Sequence, residues 1–344
     1  MPESSPFRLG FFTRLVDDAP PAEVYARALE MFERAEQLGY DAGWVAQHHA
    51  HREGGLPSPL ILLTAAAART KRLRLVTGII TLPLESPLRL AEDAAVLDAL
   101  SGGRLELGFG TGGNALVFSI FGRDVEKRHQ DYDRSFAVVR DALGGKELAP
   151  GGPPLFPTAE RLVSSMWEAT FRVEGAVRAA QHGTGLLLAR TAPRPSADGA
   201  ARQPLDDVQA PIVDAYLASW GSTTAAPRIG LSRSVYVAPT RAEAIADAEH
   251  GMRRHARIVG QREGFVADMS VEQLLARADV HIGTPDDVIA SLRADPLLAR
   301  ATDLIFQVHP VDPAPEKTLR SFELIAREVA PALRGMARSA AQPW

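Results

Sequence analysis

The sequence predicts a closed parallel α/β barrel, and three observations predict it. Apolar strand-like runs alternate with helical periods, eight such pairs are counted, and the glycines are misplaced for an open nucleotide-binding sheet. The chain has 344 residues, 46% hydrophobic and 23% charged, which suits a globular enzyme with a large buried core. A single domain over 1–344 is expected.

The first strand is read at 8–12. A helix opens at Pro20-Pro21, where Tyr25, Leu29, Phe32, Ala35 and Leu38 recur at helical spacing until Gly39. The pair then repeats. Strands are predicted at 42–46, 73–82, 104–109, 166–170, 185–189, 229–237 and 304–308, nearly continuously apolar as strands covered on both faces must be. Helices are predicted at 58–70, 88–100, 126–143, 173–182, 205–220, 241–259, 271–278, 285–293 and 315–330. The pattern breaks over 190–227, rich in Pro, Ala, Ser, Thr and Gly, which reads as an insertion after the sixth strand that covers the barrel mouth.

An open dinucleotide sheet wants Gly-x-Gly-x-x-Gly directly after its first strand, but Phe12-Thr13-Arg14-Leu15 stands there. Gly108-Phe109-Gly110, running on to Gly112-Gly113, follows the fourth strand instead. A barrel carries its chemistry at the carboxyl ends of its strands.

The formal charge is −4 with both signs mixed along the chain, so no basic footprint for a nucleic acid is present. Zero cysteines exclude thiol catalysis, iron–sulfur clusters and cysteine zinc sites. Residues 1–10 lack the apolar core and basic flank of an export signal, and no apolar run reaches the ~18 residues of a membrane span. A cytoplasmic location is expected.

After the second strand comes Gln47-His48-His49-Ala50-His51, with three of the nine histidines. Three readings stand side by side. The segment is a solvated polar loop; or His49 and His51 are a metal pair; or one imidazole is an acid or base beside an organic cofactor. The metal reading needs more ligands, and apart from His309-Pro310-Val311-Asp312 the later strand ends offer Leu82-Pro83, Gly110-Thr111, Thr170 and Ala189-Arg190, which are poor ones. Gly78, inside the third strand, marks either a bulge or tight packing, or a close approach of main chain to a flat ligand. Gly110 and Thr111 end the fourth strand with room for something large.

Thr77, the run Pro83-Leu84-Glu85-Ser86-Pro87-Leu88-Arg89-Leu90-Ala91-Glu92-Asp93, and the run Leu97-Asp98-Ala99-Leu100-Ser101-Gly102-Gly103-Arg104-Leu105-Glu106-Leu107-Gly108 form a block that resembles the bacterial luciferase-like flavin monooxygenases. Similar likenesses lie at 44–49, Phe121-Gly122, Ala179-Ala180-Gln181-His182-Gly183 and 329–334. Phe11-Phe12-Thr13-Arg14 and Trp167-Glu168-Ala169-Thr170-Phe171 are similar to a subgroup presumed to use FMN.

The resemblance implies a (β/α)8 barrel, a TIM barrel, with an insertion over its mouth. It implies an enzyme that takes reduced FMN (FMNH2) from a separate NAD(P)H:flavin reductase and, with dioxygen, oxygenates a small organic substrate. Homodimers are expected from the same likeness. His48 matches the family's catalytic acid or base, and His49 its neighbour. The Gly78-Ile79 bond matches a non-proline cis peptide against the flavin ring, with Thr77 at the ring edge. Thr170, Arg172 and Val173 lead into a helix amino end suited to the flavin phosphate, where an inward Glu174 would repel it. Two positions depart from the family: Thr111 replaces a phosphate-binding arginine, and Gln47 replaces a glutamate. Arg128 or Arg190 is expected to supply the missing charge, while Tyr132, one turn beyond Arg128, fits the site or plain helix packing. The alternatives are a hydride-transferring oxidoreductase that uses the deazaflavin F420, and a flavin-binding protein without turnover.

Overall fold

A computed structural model describes residues 7–51, 54–194, 202–221, 225–260, 264–265 and 268–334. Each apolar run pairs in parallel with the next. The strands are β1 (Arg8–Thr13), β2 (Ala42–Val45), β3 (Arg74–Thr77), β4 (Ile80–Thr81), β5 (Leu105–Gly110), β6 (Met166–Ala169), β7 (Gly185–Leu188), β8 (Ile229–Val237), β9 (Val280–Gly283) and β10 (Asp303–Gln307). The order β10-β1-β2-β3-β5-β6-β7-β8 closes on itself because β10 also pairs with β8, giving the expected eight-stranded barrel. Register places Trp44 opposite Val76 and Ile305 opposite Ser232.

The outer helices are α1 (Pro21–Gln37), α2 (Pro59–Arg69), α3 (Pro87–Ser101), α4 (Ala115–Ile120), α5 (Arg128–Leu143), α6 (Arg161–Ser164), α7 (Val173–His182), α8 (Leu205–Ala218), α9 (Arg241–Val259), α10 (Val271–Arg277), α11 (Pro285–Arg293), α12 (Pro315–Leu324) and α13 (Ala330–Arg334). Their ends follow local chemistry. Proline opens α1, α2, α3, α11 and α12, where its missing N–H costs nothing. Gly102 and Gly183 close α3 and α7 in the left-handed conformation.

The short helices α4 and α6 are not expected from the sequence, and four larger features also differ from the expectations. The strand expected over 73–82 is two pieces. Val76 faces Glu106 and Ile80 faces Phe109, so four steps on one side match three on the other and a bulge results. A continuous apolar run hides such a step. The Thr77 hydroxyl fills the gap in the ladder, donating to Gly108 O (3.1 Å) and accepting from Gly108 N (2.8 Å). A Cβ on Gly108 would lie 2.1 Å from Thr77 O, so only glycine fits there.

The second difference is β9, which pairs with the outer half of β8 outside the closed barrel. With α9 and α10 it encloses a separate small core of Tyr236, Met252, Phe265 and Leu274. Val-His-Ile-Gly is too short and mixed to announce a strand. The third concerns 190–227. Its helix α8 buries Ile212, Val213 and Tyr216 in the main core, as an ordinary barrel helix does. Residues 195–201 and 222–224 of that expected insertion lie outside the described residues. Finally, the last helix continues past α12 through a π turn at Ile325–Val329 into α13.

Inside the barrel, Ala42, Trp44, Val76, Trp167, Leu187 and Ile305 form an apolar layer. Beneath it, at the amino ends of the strands, lies a buried ionic hub. Glu106 accepts from Arg8 Nη1 (2.7 Å) and Nη2 (3.2 Å), Arg74 Nε (2.6 Å) and Trp167 Nε1 (2.7 Å), while Arg8 also donates to Asp303 (2.7 Å). Burial alone would raise the Glu106 carboxyl, but the charges and hydrogen bonds of Arg8 and Arg74 hold it down at about 2.

Candidate active site

At the opposite end, a cavity of about 900 Å³ opens above the apolar layer, and all eight barrel strands or their exits reach it. Ten of the twelve residues singled out from the sequence line it: His48, His49, Gly78, Ile79, Gly110, Thr111, Arg128, Thr170, Arg172 and Arg190. Thr77 and Val173 do not. Thr77 is fully buried in its bonds to Gly108, and Val173 is 42% exposed at the start of α7.

The Gly78–Ile79 peptide is cis. A Cβ on Gly78 would come within 2.8 Å of the Phe12 ring, so the glycine serves tight packing as well as bordering the cavity. Gln47 fixes this wall from behind. Its Nε2 donates to Glu85 Oε1 (2.6 Å) and Pro57 O (3.1 Å), and its Oε1 accepts from Thr81 N (2.7 Å). That explains glutamine at this position: a carboxylate would have no donor to offer and would face Glu85.

His48 follows directly. Its Nε2 is 3.4 Å from an Arg14 Nη, and a guanidinium can only donate, so Nε2 accepts and the proton sits on Nδ1. Burial first, and then the Arg14 charge, lowers His48 to about 3, so the ring is neutral at physiological pH. His48 Nδ1 and His49 Nε2 have no hydrogen-bond partner among the described residues. The loops after β2 and β5 are clasped over the mouth: Asn114 Nδ2 donates to His51 Nε2 (2.9 Å), and the His49 ring meets Phe121 edge-on at 4.7 Å. Among the described residues no three His, Asp or Glu side chains gather as metal ligands.

The far end of the cavity is basic. Helix α7 begins at this end without a cap from the Arg172 side chain, but the Glu174 carboxylate lines the cavity and accepts from its own backbone N–H, so one negative charge shares the first turn. Arg128, Arg172 and Arg178 all line the cavity, and after burial the charge of each lowers nearby His129. Their partners differ. Arg172 pairs with exposed Glu174 (3.2 Å), and Arg178 pairs with buried Glu168 (3.1 Å) while lying over Tyr132. Arg128 makes no ion pair among the described residues; its Nη1 donates to Val125 O (2.9 Å). Tyr132 is buried behind this end and donates to Glu168 (2.9 Å), which is packing rather than a site role.

Arg190 is placed elsewhere, buried beside His255 and His309, both of which its charge lowers after burial. His309 and Arg254 converge on buried Asp312 at 2.8 and 3.0 Å. The sequence reading missed Arg14, Arg178 and Gln307 as cavity residues. Arg14 had a signal, since it stands just past the end of the first strand.

The chain is 30% identical over 330 residues to 4-hydroxyprotoasukamycin monooxygenase of Streptomyces nodosus subsp. asukaensis, covering 90% of this chain and 87% of that one. The crystal structure of monooxygenase RslO1 from Streptomyces bottropensis superposes with a TM-score of 0.74 at 26% identity, covering 94% of this chain and 99% of the other. The same barrel recurs, at a TM-score of 0.74 and 18% identity over 95% of this chain and 98% of that one, in the oxygenating constituent of 3,6-diketocamphane monooxygenase from Pseudomonas putida in complex with FMN. Residues 8–297 match the luciferase-like monooxygenase family, and the chain belongs to it.

Proposed function

We propose that this protein is the oxygenating component of a two-component flavin monooxygenase, holding reduced FMN and using dioxygen to oxygenate a small organic substrate. The observation that carries the reading is one continuous cavity with a helix amino terminus and the Arg128 guanidinium, which makes no ion pair among the described residues, at one end and the His48 and His49 imidazoles at the other. A flavin mononucleotide matches that polarity. Its phosphate would take the α7 N–H groups and Arg128, and its ring the wall from Gly78 to Gly110. When bound, the reduced flavin supplies the electrons that activate dioxygen.

The chain supplies position and proton handling. Neutral His48 carries its proton on Nδ1, which lies against Gly54, while Arg14 holds Nε2, so the imidazole has one defined tautomer. Trp44, Leu187 and Ile305 keep the floor dry. Arg190, Thr191 and Pro193 line the cavity, which supports a covering role for the start of 190–227. The absence of a nicotinamide fingerprint after the first strand supports a separate reductase. Exposed Ile61 on α2 and Val96 and Leu100 on α3 support a homodimer through these helices. No described helix is long and apolar enough to cross a membrane, and a cytoplasmic location belongs to the same reading.

The test is a side-by-side titration with FMN, anaerobic FMNH2 and F420. FMNH2 is expected to bind most tightly, and tighter F420 binding overturns the reading. Arg128→Met is expected to weaken FMN about tenfold and leave riboflavin, which lacks the phosphate, unchanged. Equal losses for both would remove Arg128 from the phosphate site.

A further inference from the structure

In the closed order of strands, β8 stands four places from β3, directly across the barrel from the Gly78–Ile79 wall, with β10 beside it. Two polar side chains interrupt the apolar lining on this far side. Ser232 on β8 and Gln307 on β10 are each 5% exposed, and both line the cavity. Gln307 Nε2 donates to Ser232 Oγ (2.8 Å), which fixes the amide, and Gln307 Oε1 is left without a donor among the described residues. A buried acceptor without a donor is destabilising until a ligand supplies one. Around it stand Phe12, Leu187 and Ile305.

We propose that Gln307, oriented by Ser232, determines substrate specificity by accepting a hydrogen bond from the hydroxyl of an otherwise apolar substrate. The inference rests on the flavin reading, because a ring on the β3 side leaves the β8–β10 side for the substrate. The pairing sorts substrate classes. A hydroxyl satisfies Oε1, whereas a hydrocarbon or an ether leaves it unpaired and binds more weakly.

The probes are 1-naphthol and 1-methoxynaphthalene, which share a ring system but differ in the donor, titrated calorimetrically into FMN-loaded protein. Wild type is expected to prefer 1-naphthol about tenfold. Gln307→Met, close in size but without an acceptor, is expected to bring the two within about twofold at unchanged FMN affinity. Gln307→Glu, which keeps an acceptor, retains the preference. Equal binding by wild type, a preference that survives Gln307→Met, or a preference for the methyl ether each overturns the proposal. If wild type fails to bind FMN, the same pair is titrated into flavin-free protein. A Gln307-dependent preference there sustains the hydroxyl subsite while the flavin reading falls, and its absence ends both.

Discussion

At the amino end of the barrel, the Glu106 carboxylate accepts four hydrogen bonds from two arginines and a tryptophan. At the carboxyl end, half-buried His48 Nδ1 and His49 Nε2 and buried Gln307 Oε1 accept or donate none among the described residues. The same strands carry both sets. The Glu106 hub ties β1, β3 and β6 to β5 at the amino end, whereas the unpartnered atoms at the carboxyl end belong to residues that line the cavity; Arg161 Nε and Arg334 Nε, near the amino end, are unpartnered too among the described residues but do not line the cavity.

The largest way to break this contrast is to empty the lower hub. Glu106→Leu leaves the buried Trp167 N–H without its acceptor and takes one partner from Arg8 and Arg74, whose side chains keep about a third of their exposure, and a loss of about 1–3 kcal/mol is expected in urea denaturation. A loss below about 1 kcal/mol would mean that the hub is not what holds the lower end. At the upper end the opposite pattern is expected. His48→Ala should slow product formation about 10²–10⁴-fold with FMNH2 supplied, yet lower the denaturation midpoint only slightly, since the polar contact it deletes is the long 3.4 Å bond from Arg14.

The smallest effect concerns pH. Burial first, with neighbouring arginines adding to it, lowers His48 and His255 to about 3 and His309 and His281 to about 4. These rings are neutral when folded but protonate in the unfolded chain below its ordinary pKa of about 6.5, so the unfolded state binds more protons and stability falls as pH drops through that value. Thermal midpoints measured from about pH 7 to about pH 5 should decline, and less steeply in His309→Gln. A flat profile would show that the histidines are hydrated in the fold.

Much of the frame was legible because strands covered on both faces must be apolar, and alternation with helices leaves few topologies. All eight barrel strands are found where the apolar runs place them, within a residue or two apart from the divided third. What escaped was whatever depends on offset or distance. The bulge between Val76 and Ile80 changes no residue's polarity, and β9 lacks a pattern of its own. The site was half legible. His48 and Arg172 stand on loops whose position follows from connectivity. Arg178 and Tyr132 lie inside helices and meet Glu168 only through folding, and Gln47 became intelligible only once Glu85 and Thr81 were seen around it. Gln307 carried a faint mark, as a polar break in the last apolar strand.

The ties made by Gln47 bear on how this enzyme can be altered. One amide anchors the main chain at Thr81 and is the immediate neighbour of His48, so the imidazole and the Gly78–Thr81 wall shift as one block. Widening the chamber from that side would move the His48 imidazole with it. Among the described residues no hydrogen bond ties Leu187, Ser232 or Gln307 to His48, so evolution and the engineer alike have freer rein to recut the fit for new molecules there.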